Sequence, residues 1–386
     1  MGKTYRVGIV GVGHVHVHNV ALIYKRHPRV ELVACADTPP AVPEIREAPY
    51  SRAWNLKYLV NDVGIPRRYD DYERMLEQER LDIVICNSEN AQHPSVVEVC
   101  ARHGAHVCVE KPMASGLSDA LHMARTARAA GTKILIHWYM PFAAAMRKAK
   151  ALLDQGAIGD VLQLNMRAAH AGPLAPGVRH PGPNIECAPM SGQELGATWW
   201  YQKAAGGGAT IDFCSYGAIL ARWLIGQKAI SATGMCANLN SPWGDVDDNG
   251  AIVARFPNAL GVFEGSWTTQ DRGRSGGPVI YGTSGTMLVE GSDRPVVRVF
   301  TNQGNATEYE AEPLPPGRTT VAEEFIHHLE TGEPLHLTLD VEFNLDAMAT
   351  VDAGLRSAQS GKTEIVAALP VEEDDRGLHA PASKPA

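Results

Sequence analysis

The sequence predicts an α/β chain in two parts: a doubly wound parallel sheet, then an α/β domain built on a large, open, mostly antiparallel sheet. Three observations predict it. A strand, a glycine turn, a helix, a second strand and an acid follow one another between Tyr5 and Asp37. Apolar strand-like runs then alternate with helical stretches as far as Trp138, the rhythm of βαβ units. From Phe142 onward the pattern changes to short alternating strands separated by turn residues, as in a sheet with one solvated face.

Taken in order, Tyr5–Val10 is an apolar strand running into Gly11-Val12-Gly13. A helix is expected from about Val15 to Arg26, and a second strand, Val30–Ala36, closes on Asp37. This is the spacing of a dinucleotide-binding Rossmann unit. Glycines at 11 and 13 let backbone approach a pyrophosphate, and the helix start offers unpaired N–H groups. Asp37 accepts from ribose hydroxyls and repels a 2′-phosphate. Thr38, Pro39 and Pro40 bring no cation, so NAD is expected rather than NADP. His16 stands where the third glycine of the motif belongs. His14, His16 and His18 alternate, but on a helix only His14 and His18 share a face. Metal sites usually add a carboxylate or cysteine, so no metal is expected; His14 and Val15 are assigned to the border of the cofactor.

Helices follow at Ser51–Val63 and Tyr72–Glu79, a buried strand at Leu81–Asn87 and a helix at Pro94–His103. The next apolar run, in Ala105–Pro112, ends abruptly on Glu110-Lys111-Pro112. A strand that stops on a lysine places an ammonium at the carboxyl edge of the sheet, where open α/β folds bind ligands. Asn87, His93 and Glu110 share that edge and are expected near the cofactor. A helix, Leu117–Ala130, and a strand, Lys133–Trp138, bring to five the strands placed in an expected six-stranded sheet.

The second part opens with a helix, Phe142–Gln155, and continues with strands at 161–167, 230–237, 251–256, 260–268, 287–290 and 296–301. Between the first two lies Gly172–Gly196, a Pro/Gly-rich loop long enough for a lid or an oligomer contact. Gly206-Gly207-Gly208 then leads a long helix on which Asp212 and Tyr216, four apart, share a face near the start. The glycines permit close approach of a ligand or another backbone. Trp138 and Trp200 offer flat faces suited to the C–H side of a sugar, and His170, Arg179, His180 and Glu186 in or beside the loop are candidates for substrate selection. Two helices, Val321–Thr331 and Val341–Ser360, close the fold, the latter expected to pack back on the first domain. The boundaries expected are 1–138, 139–368 and a flexible tail, 369–386, with its Glu372–Asp375 acidic run.

Composition bounds the partners. The 386 residues carry a net charge of −8, against binding nucleic acid or an anionic membrane. The seven cysteines are scattered, several within apolar runs, as in a reducing compartment. No apolar run reaches transmembrane length, and the first strand begins at Tyr5. The protein is expected to be cytoplasmic, with a small-molecule substrate.

The motifs GIVGVG, YDDYERML, AHVCVEKP, GAIGDV, GGGATIDFCSYG and SAQSGK together resemble the Gfo/Idh/MocA oxidoreductases over nearly the whole chain, to about residue 366. The resemblance implies bound NAD(P), hydride transfer at a sugar, polyol or glycoside carbon, and a homo-oligomer, dimer or tetramer, formed through the sheet face. It places the family's catalytic lysine at Lys111 and its aspartate at Asp212. Its usual histidine, four positions further, is Tyr216 here. Lys111 and Tyr216 are then expected to act as a pair, the ammonium lowering the phenol pKa, with Asp212 orienting the substrate. Two alternatives carry the same fold: glycoside cleavage through transient oxidation, and a dinucleotide-binding regulator without catalysis.

Overall fold

A computed structural model describes residues 2–270, 277–290, 296–301 and 306–369; the expected tail lies outside the described residues from 370 on. The first sheet contains β1 (Tyr5–Val10), β2 (Val30–Ala36), β3 (Arg67–Tyr69), β4 (Ile83–Cys86), β5 (His106–Glu110) and β6 (Ile134–His137). All pair in parallel, in the order β3-β2-β1-β4-β5-β6. Every residue of β4 is buried, because helices cover both faces: α1 (Val17–Arg26), α2 (Arg52–Asn61), α3 (Tyr72–Glu79), α4 (His93–Arg102) and α5 (Leu117–Ala130). The strand order reverses between β1 and β4, opening a crevice at their carboxyl ends. Gly11 and Asn87 stand at its mouth.

Two details depart from the sequence reading. Helix α1 starts at Val17 rather than Val15; its N-cap, His16, makes no side-chain cap, so His14–His16 form a turn ahead of the helix. Strand β3 has no apolar run at all. It is an edge strand held by its ladder to Ala34–Ala36, and a three-residue polar edge leaves no periodic signal.

After α6 (Ala144–Asp154), the second sheet is built from β7 (Val161–Ala169), β8 (Ser231–Ala237), β9 (Asn249–Arg255), β10 (Leu260–Ser266), β11 (Val279–Gly282), β12 (Gly285–Glu290), β13 (Val296–Thr301), β14 (Ala306–Glu310) and β15 (Glu364–Ile365). Its order is β14-β13-β12-β11-β7-β10-β9-β8-β15. Only β7 and β10 pair in parallel. Strands β11, β14 and β15 carry no clear alternation in the sequence and were not expected.

The short helix α7 (Gly192–Gly196) precedes α8 (Ala209–Leu224), which lies across β7, β9 and β10; α9 (Val321–Thr331) and α10 (Val341–Ser360) follow. Helix α10 packs on β8 and α8 and also on α5 and β6. Trp138 Nε1 donates to Asn344 Oδ1 at 2.7 Å, tying the end of the first sheet to α10. The opposite face of the second sheet leaves Met235, Val253 and Leu260 exposed.

Candidate active site

Strand β5 delivers Lys111 to the carboxyl edge of the first sheet, and α8 brings Asp212 to meet it. Lys111 Nζ lies 2.5 Å from Asp212 Oδ1, and the same ammonium sits 4.6 Å from the centre of the Tyr216 ring. All three side chains are buried. Burial disfavours a charged lysine, but the combined pull of Asp212, Tyr216 and Glu110 outweighs it and raises the Lys111 pKa above its ordinary value. The ammonium is therefore permanent at neutral pH. Tyr216 does not follow the expectation of a lowered phenol: burial pushes it well up, and the neighbouring ammonium offsets only part of the rise. The lysine faces the ring and shares its charge with Asp212, so the phenolate gains too little to repay its desolvation. Trp138 packs edge-on to Tyr216 at 5.0 Å. With its N–H committed to Asn344, it is a wall of the site rather than an open platform.

Helix α8 can point Asp212 inward because of how it begins. Gly206 and Gly208 adopt φ of 78° and 120°, and a Cβ on Gly207 would fall 2.2 Å from Trp200 O. No side chain at the N-cap serves the first amides. Asp247, from the loop before β9, does so instead, its Oδ2 accepting from Thr210 N at 2.7 Å.

On the cofactor side, the turn after β1 keeps its dinucleotide form. Gly11 has φ of 78°, and a Cβ there would meet Ser88 backbone at 2.5 Å. Asp37 Oδ1 accepts from Val12 N at 3.0 Å, which fixes the acid against the turn. A cavity of about 540 Å³ lined by Asp37, Thr38, Pro39, Tyr72, Gln92 and Ser95, among others, opens beside it, where the adenosine half of a dinucleotide lies in folds of this order. The Val15 side chain is in the core, so only its backbone is left to face the turn. Asn87 reaches Glu110, its Nδ2 donating to Oε2 at 3.3 Å. His93 does not join the site: its ring nitrogens face Met113 O and Ser88 O at 3.1 and 3.3 Å, so it braces the loops after β4 and β5.

Two residues missing from the sequence reading shape this region. Arg52 is buried and donates to Asp37 through Nε at 2.9 Å and Nη2 at 2.8 Å, and to Glu89 Oε1 through Nη1 at 2.8 Å. A cation at a helix start opposes the dipole, the one sequence sign that acids hold it there. Trp199 Nε1 donates to Gly13 O at 2.8 Å, and a Cβ on Gly13 would lie 2.8 Å from Arg52 Nη1 and 3.4 Å from Trp199 Cδ1. Trp200 packs edge-on against His14 at 4.7 Å. The glycine turn thus faces an arginine and two indoles.

Those indoles arrive at the end of the 172–196 loop, which straps across the first sheet's helices. Tyr50 Oη donates to Ile185 O at 2.6 Å and accepts from Ile185 N at 3.1 Å. Arg46 Nη2 donates to Pro189 O at 2.6 Å and its Nε pairs with Glu194 at 2.7 Å. His180 packs edge-on to Tyr50 with Nε2 2.7 Å from Pro173 O. Arg179 and Glu186 pair with each other at 2.6 Å, on the outside of the strap. His170 stands edge-on to Phe213 of α8 at 4.9 Å, the residue that follows Asp212.

A Rossmann sheet whose switch-point edge carries a buried lysine, paired with an aspartate from a second, antiparallel-sheeted domain, has the architecture of an oxidoreductase of the dinucleotide-binding class. Residues 5–137 match the model of the oxidoreductase family with an NAD-binding Rossmann fold, and 146–288 that of the GFO/IDH/MocA C-terminal domain. The chain belongs to the Gfo/Idh/MocA family. It is 24% identical over 344 residues to a myo-inositol 2-dehydrogenase of Thermotoga maritima, spanning 85% of this chain and 89% of that one. It is 25% identical over 224 residues to an NADP+-linked D-xylose 1-dehydrogenase of Haloarcula marismortui, 58% and 57% of the two chains. Among solved structures, the WlbA dehydrogenase of Bordetella pertussis in complex with NADH and UDP-GlcNAcA superposes with a TM-score of 0.71 at 22% identity, over 96% of this chain and 100% of that one. No described helix is long and apolar enough to cross a membrane.

Proposed function

We propose that the protein is a dehydrogenase that moves hydride between a hydroxyl-bearing carbon of a carbohydrate or polyol and a nicotinamide cofactor, with NAD preferred. The observation that carries this is the 2.5 Å contact between Lys111 Nζ and Asp212 Oδ1 with the Tyr216 ring beside it, at the ligand edge of a dinucleotide-type sheet. The residues fit a dinucleotide. Gly11, Gly13, His14 and Val15 form the phosphate turn, Asp37 meets the ribose, and Asn87, Glu110 and Lys111 border the nicotinamide end. Entry requires the Trp199–Trp200 segment to give way at Gly13. The preference for NAD is narrower than the acid alone implies, because Arg52 neutralises Asp37.

When bound, nicotinamide accepts the hydride. Lys111 holds a fixed positive charge toward the substrate oxygen and stabilises it as the C–O–H proton leaves. Asp212 holds that lysine in place and accepts from the substrate. Tyr216 exchanges the hydroxyl proton; protonated at neutral pH, it serves as the acid in carbonyl reduction without prior titration. His170 and Trp200 border the substrate. The chain is proposed to divide after Trp138, to work in the cytoplasm, and to associate with its own copies through the exposed face around Met235 and Val253.

The test is NADH formation across aldoses, inositols and glycosides, with NADP as control and product followed alongside the cofactor. Stoichiometric NADH with an oxidised sugar supports the reading. Glycoside cleavage without net NADH moves the assignment to transient oxidation. No turnover with any of them, despite dinucleotide binding, leaves the regulator.

A further inference from the structure

The tertiary fold supplies the carboxylate that the histidine run lacked. His14 and His16, in the turn before α1, converge on Glu110 at the end of β5. His16 Nδ1 lies 3.0 Å from Glu110 Oε1 and His14 Nε2 4.0 Å from the same oxygen. One donor atom from each of the three falls within 4.8 Å of the others. Donors bound at ~2.0–2.1 Å to a tetrahedral ion stand about 3.3 Å apart, so the site is assembled to within a small side-chain adjustment. His14 Nε2 is buried and has no hydrogen-bond partner among the described residues, an expensive state for a ring nitrogen in the interior. His18 is not part of the group; its ring lies edge-on to Tyr50, Trp54 and Tyr58.

We propose that His14, His16 and Glu110 bind one divalent transition-metal ion of the zinc class. Two imidazoles and a carboxylate leave coordination positions open, on the side where His16 is 29% exposed. The carboxylate is oriented as metal-bound carboxylates usually are: its second oxygen takes contacts from His137 Nδ1 and Asn87 Nδ2, both at 3.3 Å. His137 ends β6 just as Lys111 follows β5, so the same strand-edge signal marks it. His14 Nδ1 accepts from His16 N at 3.2 Å, which leaves its ring proton on Nε2 facing Glu110; an ion at Nε2 displaces that proton to Nδ1 and does so at the cost of the His16 N–H bond. The inference goes beyond hydride transfer and needs no dinucleotide.

The experiment titrates chelator-stripped full-length protein with ZnCl2 by calorimetry and with CoCl2 by visible absorption, without cofactor or substrate. One equivalent bound, with intense d–d bands for cobalt, is expected. His16→Asn, at the most exposed ligand, and His14→Ala are each expected to weaken zinc binding at least tenfold, and His137→Ala by about 10–100-fold through the carboxylate. Circular dichroism of each variant separates lost ligands from lost fold, and His16→Asn keeps the test decisive should the buried variants fail to fold. No stoichiometric binding, or binding unchanged in folded His16→Asn, overturns the proposal while leaving the dehydrogenase reading intact.

Discussion

At the residue scale, the site turns on a lysine that is 3% exposed and still charged. An ammonium so deeply buried needs a carboxylate in contact, and Asp212 is that group. Lys111→Met removes the charge proposed to stabilise the substrate oxygen and is expected to abolish turnover in a steady-state assay while dinucleotide still binds. Tyr216→Phe is expected to lower kcat by about 10²–10⁴-fold, the usual worth of a positioned proton-transfer group; a loss of only a few-fold removes Tyr216 from that role. The phenol's raised pKa gives a second signature. In the proposed reaction, oxidation of the substrate needs the phenolate, so its rate should climb with pH and reach no plateau below about 10, read from a pH profile of kcat. Lys111, Asp212 and Tyr216 were legible as chemistry-bearing residues at a strand end and a glycine-led helix start. The phenol's direction of shift was not, because it depends on which side of the ring the ammonium meets.

At the scale of elements, helix α8 aims the aspartate, and its start is held from outside. Asp247 accepts from both Thr210 N and Thr210 Oγ1, doing the work of a missing N-cap. Asp247→Ala is expected to cost about 0.5–2 kcal/mol of stability, with Asp247→Asn retaining most of it, measured by denaturant unfolding. Gly207→Ala is the harsher change, since its Cβ would meet Trp200 O at 2.2 Å; both stability and turnover should fall. The triple glycine announced a close approach, but nothing in it names Trp200 or Asp247 as the neighbours. Turn residues report the conformation they permit; a partner such as Asp247, about 40 residues on, is chosen by the sheet that places it.

At the scale of the molecule, the 172–196 strap and its trailing indoles close over the glycine turn, and Arg46 and Tyr50 fasten it. Arg46→Ala combined with Tyr50→Phe is expected to speed dinucleotide association in stopped-flow fluorescence, with hydrogen exchange rising in the strap. Buried imidazoles also set the acid limit of the fold. Burial holds His18, His180 and His336 at about 4, so they stay neutral in the folded protein while the unfolded chain takes up protons below about 6.5. Their contribution is complete above that pH and drains away between about 6.5 and 4, at up to ~1.4 kcal/mol per proton per pH unit, which thermal melts across that range would show. By itself the sequence determined the parallel sheet, its glycine turn and acid, the strand-end lysine and the glycine-led helix, because each is written in local periodicity or in a residue type that only a few backbone geometries accept. Only the tertiary structure decided that Arg52 engages Asp37, that Trp199 seats on Gly13, and that Glu110 completes the pair of His14 and His16. Those contacts join segments 15 to 186 residues apart, and distance along the chain carries no information about them until the strands are stacked.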